Sequence, residues 1–209
     1  MQIMLLLLLV SASVQGAPVL ETRGKEVDRL GEVPIFAEAV THTGKPLVLG
    51  LTGAGIRQKG FAFIQLDVYA LASYVDKPSA LDPNSPLPGL AKSAGRALQL
   101  TFLREVSGKK VHSAFAASLE ANGVAVEGEM LRLVDTISVT FPERGQLNLV
   151  GISAEPGKQI LTAEYPGGTV TVQSPSLVDD FWKIWFGKPS DGGIEDLKAA
   201  LVSRLGTAP

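Results

Sequence analysis

The sequence of 209 residues contains no cysteine and only two histidines. The lack of cysteine excludes a disulfide framework, thiolate zinc ligands and a cysteine nucleophile. The two histidines, His42 and His112, have no closely spaced carboxylates or further histidines beside them. Zinc and related metals need such clusters, so the sequence predicts no metal site.

A long run of basic residues is also missing. The formal net charge is -2, so the electrostatic footprint of a nucleic-acid-binding protein is absent. The glycine-rich stretch from Gly50 to Gly55 lacks the Gly-x-Gly-x-x-Gly spacing in front of a helix, which argues against a nucleotide cofactor. Because no Gly-x-Ser-x-Gly elbow occurs, a hydrolase triad is not expected. We therefore predict no cofactor and no nucleic-acid partner.

One long apolar run is present, at residues 5–10, and small residues follow it at 11–17. The run is too short to cross a bilayer, which needs about 20 residues. Although no Lys or Arg precedes it, the pattern is typical of a secretory signal peptide. We predict a signal peptide over residues 1–16, a periplasmic or secreted protein, and no transmembrane segment in the mature chain. A buried N-terminal helix is the alternative.

The composition is 45% hydrophobic and 19% charged, as in a globular domain. Residues 17–32 are charged and lack periodicity, so they are predicted to be a flexible lead-in to one domain over residues 33–206. Alternation and β-branched content predict strands, which we place at residues 33–40, 47–51, 61–75 and 98–103. A turn at Pro166-Gly167-Gly168 predicts a hairpin between residues 159–165 and 169–173.

Helical spacing of apolar residues appears mainly in the second half of the chain. Helices are predicted from Ser107 to Gly123, over residues 127–137, from Ser176 to Gly187, and from Asp191 onward. Ser176 and Asp179 together resemble a capping box. Because strands come first and helices later, the order predicts an α+β fold, an antiparallel sheet with helices packed on one side.

Arg57 fits an apolar core least well. If no bulge intervenes, it shares a strand face with the three leucines of residues 47–51. A guanidinium stays charged and therefore needs an acceptor, which could be a ligand carboxylate or enolate held bidentately. The glycines before it would let a ligand approach the backbone. The alternatives are a bulge that turns Arg57 outward, or a structural ion pair with one of three acids: Asp67, Glu105 and Glu127.

Two segments resemble the chalcone-isomerase-like family. The first is Leu-Gly-Leu-Thr-Gly-Ala-Gly-Ile-Arg at residues 49–57, followed by Val68-Tyr69-Ala70 and Tyr74. The second is Phe-Trp-Lys-Ile-Trp-Phe-Gly-Lys-Pro at residues 181–189, which is typical of the bacterial, often exported branch. The resemblance covers residues 33–205. It implies an open-faced antiparallel β-sandwich with a helical layer on one side and a ligand cleft between them.

The resemblance also implies a role for Arg57. In the isomerases the matching arginine stabilises a developing oxyanion, and in fatty-acid-binding relatives it holds a carboxylate. Tyr69 is the second candidate ligand-binding residue and Tyr74 a weaker third. The alternative for Tyr69 is a core tyrosine with its hydroxyl at the sheet edge. Lys59 could steer anions or simply be a solvated rim residue.

The other polar residues of the isomerases are not retained. Their positions fall near four residues here: Ile64, Val111, Ser118 and Ile184. A pocket with one charge and apolar walls favours non-catalytic binding of a small apolar anionic ligand resembling a fatty acid. The alternatives are a chalcone-isomerase-type intramolecular lyase acting on an enone or flavonoid-like ketone, with Arg57 as its catalytic residue, and an accessory protein without a ligand. The last predicts a small closed cavity and Arg57 paired internally to a carboxylate.

Overall fold

The structure is a computed structural model that describes residues 17–61, 64–155 and 157–205, so the predicted signal peptide lies outside the described residues. One antiparallel sheet contains eight strands, each paired with its neighbours in sequence. The strands are β1 Leu20–Leu30, β2 Val33–Thr41, β3 Leu47–Phe61, β4 Ile64–Val75, β5 Gly95–Phe102, β6 Gln146–Glu155, β7 Lys158–Tyr165 and β8 Gly168–Ser174.

Five α-helices accompany the sheet in the described part of the chain. They are α1 Pro86–Lys92, α2 Gly108–Ala121, α3 Gly128–Ile137, α4 Leu177–Phe186 and α5 Gly192–Ala200, with a 3-10 turn at Pro78–Ala80. Within the described residues, no helix is long and apolar enough to cross a membrane. An open antiparallel sheet with helices confirms the predicted α+β fold.

The sheet buries apolar residues on both faces. Along β4, Tyr69 and Leu71 pack toward the helices, whereas Ala70, Ala72 and Tyr74 pack on the opposite face. That second face is covered by side chains from β1, β2 and the start of β3, because the sheet folds over itself at this end. The helices and β4–β8 enclose the larger core, which includes both tryptophans.

The prediction of a flexible lead-in over residues 17–32 is corrected by the structure, in which Leu20–Leu30 forms the strand β1. Most of its side chains are exposed, since it forms one edge of the sheet, where charged residues are favoured. The register with β2 shifts twice between Arg23 and Asp28, and Gly24 has a left-handed φ of 83°. These irregularities break the two-residue alternation, so the sequence pattern did not indicate a strand.

β3 is longer than predicted and lies directly beneath α5. A Cβ atom built on Gly53 would overlap the backbone of Ala200 and Leu201, and one on Gly55 would lie 3.1 Å from Leu197 Cδ1. The glycines therefore admit a helix of the same chain, not a ligand as the sequence suggested. Thr52 adds to the contact, since its Oγ1 donates to the Leu201 carbonyl at 2.8 Å.

A buried polar cluster joins β5 and β7 to α4. Arg96, with a side chain only 2% exposed, forms an ion pair with Asp179 and lies 5.3 Å from the centre of the Trp182 ring. Gln159 donates to Asp179 Oδ2 at 2.7 Å and accepts from two backbone N–H groups at the start of α4. The predicted capping box is therefore wrong: Ser176 donates to Asp180 instead, and β7 supplies the cap.

Candidate functional site

A cavity of about 830 Å³ lies between the helix-side face of the sheet and helices α2, α4 and α5. This volume is in the range of small-molecule sites. Its apolar wall comes from strands and helices alike and includes Leu66, Val68, Phe102, Val111, Phe115 and Ile184. The cavity is therefore not the small closed space expected of a ligand-free accessory protein.

Arg57 and Tyr69 stand directly opposite each other on β3 and β4, so their side chains leave the same face of the sheet. Both line the cavity. Arg57 does not share a face with the leucines before it, because the strand contains a bulge. A register shift between Leu51 and Gly53 changes the parity of the strand, and Leu49 packs in the opposite core.

Arg57 already has a carboxylate partner. Its side chain is 9% exposed, and Nη2 lies 2.5 Å from Asp191 Oδ2, while Nη1 donates to the carbonyl of Gln58. Asp191 also caps α5, since its Oδ1 accepts from the Ile194 N–H at 3.2 Å. The predicted ion pair thus exists, but with a residue other than the three acids proposed from the sequence.

Tyr69 supplies a hydrogen-bond donor beside Arg57. Its hydroxyl oxygen accepts from Trp185 Nε1 at 3.0 Å, and its own proton has no acceptor among the described residues. Burial raises the pKa of Tyr69 to about 12, although the Trp185 hydrogen bond and Arg57 lower it in part. The hydroxyl therefore stays protonated at neutral pH and can donate to a molecule in the cavity.

Tyr74 does not belong to this site. It packs in the core on the opposite face of the sheet, where its hydroxyl donates to the Phe36 carbonyl at 3.3 Å and burial raises its pKa. It lies five positions after Tyr69, an odd offset that places the two side chains on opposite faces of a regular strand.

The structure brings together three of the four positions where the isomerases' polar residues were expected to fall. Val111, Ser118 and Ile184 line the cavity, and the Ser118 and Ser190 hydroxyls share a hydrogen bond of 3.1 Å. Ile64 instead lies beside the β3–β4 turn, 62% exposed. Sequence reasoning missed Asp191 as a partner of Arg57.

Exposed charged residues surround the cavity. Its lining includes four exposed cations and one exposed acid, namely Lys59, Arg104, Lys109, Lys110 and Glu105.

The two histidines do not line the cavity. His42 contacts Glu21 and His112 contacts Asp135, each at 3.2 Å. Across the described ranges, no group of three or more His, Asp or Glu residues could hold a metal ion.

Comparisons with known proteins agree with this architecture. A solved fatty-acid binding protein from Arabidopsis thaliana superimposes with a TM-score of 0.53 over 74% of this chain and 89% of that one. At 19% sequence identity, the likeness shows the fold alone. No curated protein matches the sequence significantly. A family model described as chalcone isomerase-like matches residues 32–203, and the chain therefore belongs to the chalcone isomerase-like family.

Proposed function

We propose that the protein binds a small apolar acid, resembling a fatty acid, in the cavity and does not transform it. The observation that carries the proposal is the Arg57–Tyr69 pair facing an apolar space of about 830 Å³. A cation and a protonated hydroxyl side by side match a carboxylate head group. The apolar wall matches a hydrocarbon tail.

Arg57 can serve a ligand although it contacts Asp191. The guanidinium has more N–H donors than the two bonds to Asp191 and Gln58 use. The Asp191 side chain is 43% exposed, so water can solvate its carboxylate if a ligand displaces it. Tyr69 offers its proton without losing a protein partner. A bound carboxylate would therefore replace one ion pair with another and gain a hydrogen bond.

Binding is supported over catalysis by the walls of the cavity. Val111 and Ile184 are apolar where the resemblance implied polar residues, and the Ser118 hydroxyl already contacts Ser190. Few groups could orient a water or activate a ketone, so an intramolecular lyase has little support here. The accessory-protein alternative agrees with the Arg57–Asp191 pair but not with the volume of the cavity.

Replacing Arg57 by methionine tests the head-group contact. We expect affinity for dodecanoate to fall by about 30-fold, the effect of losing a charged hydrogen bond worth about 2 kcal/mol. Affinity for the uncharged analogue dodecanol should not change. Titration calorimetry measures both. The matched control is Arg132→Met, which removes an exposed arginine from α3. Equal losses for acid and alcohol would contradict the proposal.

Replacing Asp191 by asparagine tests whether Arg57 anchors a ligand or serves only in a structural ion pair with Asp191. Asparagine caps helices as well as aspartate does, so α5 should remain folded. Asp191 competes with a ligand carboxylate for Arg57. Removing its charge should strengthen dodecanoate binding by about fivefold to tenfold, because an exposed ion pair contributes about 1 kcal/mol. The control is Glu195→Gln, an exposed acid in the first turn of α5. Weaker binding together with lower thermal stability would favour the structural pair.

We also propose that residues 1–16 direct export. Their apolar run and the small residues after it support this, and the intact mass of the protein recovered from the periplasm or medium tests it. Cleavage after Gly16 is the expected result. Recovery of uncleaved chain from the cytoplasm alone would refute it.

A further inference from the structure

Most of the exposed charges around the cavity are positive. Lys59, Arg104, Lys109 and Lys110 are exposed and make no ion pair with any residue in ranges 17–61, 64–155 and 157–205. The only exposed acids among the lining residues are Glu105 and Asp191, and Asp191 already contacts Arg57. The whole chain is slightly acidic, with a formal charge of -2. The exposed lining of the cavity is therefore positive although the whole chain is slightly acidic; we call these four cations the basic rim.

An exposed apolar side chain adjoins the basic rim. Ile64 begins β4 and is 62% exposed, one of three large hydrophobic residues with high exposure in the described chain. Two residues further on, Leu66 is the cross-strand partner of Lys59, and both line the cavity. Ile64 therefore lies at the start of a strand pair that carries both a rim cation and part of the apolar cavity wall.

We propose that this surface docks on an anionic lipid bilayer, so that an apolar acid passes from the membrane into the cavity. The basic rim would contact lipid head groups, and Ile64 would enter the interfacial region. Long lysine and arginine side chains can reach head groups while their stems cover apolar surface. The transfer step rests on the proposed binding function, but the docking step does not.

Flotation with vesicles tests the docking. The full chain should bind vesicles of phosphatidylcholine with 30% phosphatidylglycerol and not vesicles of phosphatidylcholine alone. Replacing all four rim cations with glutamine should weaken binding on the order of 100-fold, because each basic residue near such a surface contributes severalfold. The control removes four exposed lysines elsewhere, namely Lys25, Lys45, Lys77 and Lys92. Similar losses in both variants would mean attraction by net charge and would overturn the proposal, as would equal binding to both vesicles.

Ile64→Asn tests the apolar contact separately. The variant should weaken binding to the anionic vesicles by about tenfold, since a buried aliphatic side chain contributes about 1.5 kcal/mol or more. Val48→Asn is the matched control, because Val48 is 51% exposed and does not line the cavity. Loss of binding in both variants, or in neither, would contradict a specific contact between Ile64 and the membrane.

Binding of free dodecanoate and its acquisition from vesicles distinguish the docking proposal from the proposed binding function. If docking and loading are both correct, Ile64→Asn, which lies outside the cavity lining, should bind free dodecanoate as well as the wild type but acquire it from anionic vesicles about tenfold more slowly. Vesicle binding without any dodecanoate binding would refute the proposed function and leave docking intact. Equal rates of acquisition in Ile64→Asn and the wild type would refute loading from the membrane.

Discussion

Replacing Asp179 by alanine is expected to lower the free energy of unfolding by about 3 to 5 kcal/mol, the usual cost of leaving a buried charge unpaired. Arg96 is the charge concerned. Its side chain is 2% exposed and Asp179 is its only ion-pair partner in the described chain. Burial already lowers the pKa of Arg96, and Asp179 opposes that shift. Urea unfolding followed by circular dichroism measures the effect.

The controls for this prediction are a neighbouring acid on α4, Asp180, and the buried cation itself, Arg96. Asp180→Ala removes a neighbouring acid that contacts Lys183 in a partly exposed ion pair on α4, and we expect a loss of about 1 kcal/mol. Arg96→Met removes the buried charge itself, so its cost should be small, about 1 kcal/mol. If Arg96→Met were as destabilising as Asp179→Ala, the packing of the Arg96 stem would matter more than its charge.

Replacing Gly53 by alanine is expected to destabilise the protein by about 3 kcal/mol, at the upper end for overpacking. The new Cβ would overlap the backbone of Ala200 and Leu201, and a backbone cannot avoid the overlap as a flexible side chain can. α5 would have to move, and the Thr52–Leu201 hydrogen bond would be lost. Because Ile194 and Asp191 line the cavity, dodecanoate binding should fall as well.

Gly192→Ala is the matched control for this second prediction. It lies in the first turn of α5, has no heavy atom within 4 Å of the added Cβ, and should be neutral or stabilising by up to about 1 kcal/mol. Thermal unfolding of both variants checks the pair. A stable Gly53→Ala protein with unchanged binding would mean that α5 does not lie against β3.

Local pattern was enough to predict much of this fold. The helices from Ser107, from residue 127 and from Asp191 follow the spacing of apolar residues, and the β7–β8 hairpin follows its glycine turn. β1 was missed because edge position and two register shifts removed the alternation that marks a strand. Tyr69 and Tyr74 are an odd number of positions apart on β4, so strand alternation alone predicts that they lie on opposite faces of the sheet and argues against Tyr74 as a site residue.

The partner of Arg57 could not be read from the sequence. Asp191 lies 134 positions away, and the register shift after Leu51 decides which face of β3 carries the guanidinium. A bulge depends on how β3 and β4 pair, not on the composition of either strand. Trp185 is similar, since only packing of α4 on the sheet brings its Nε1 to the Tyr69 hydroxyl.

The position of α5 over β3 has a consequence for the order in which the protein takes shape. All eight strands precede α5 in the chain and pair neighbour with neighbour, so every strand pairing can form before α5 is synthesised. The wall formed by Asp191 and Ile194 arrives only afterward. This wall of the cavity is thus completed only after the sheet and α5 are both in place. Until then the glycine stretch of β3 lacks the helix that covers it in the folded protein.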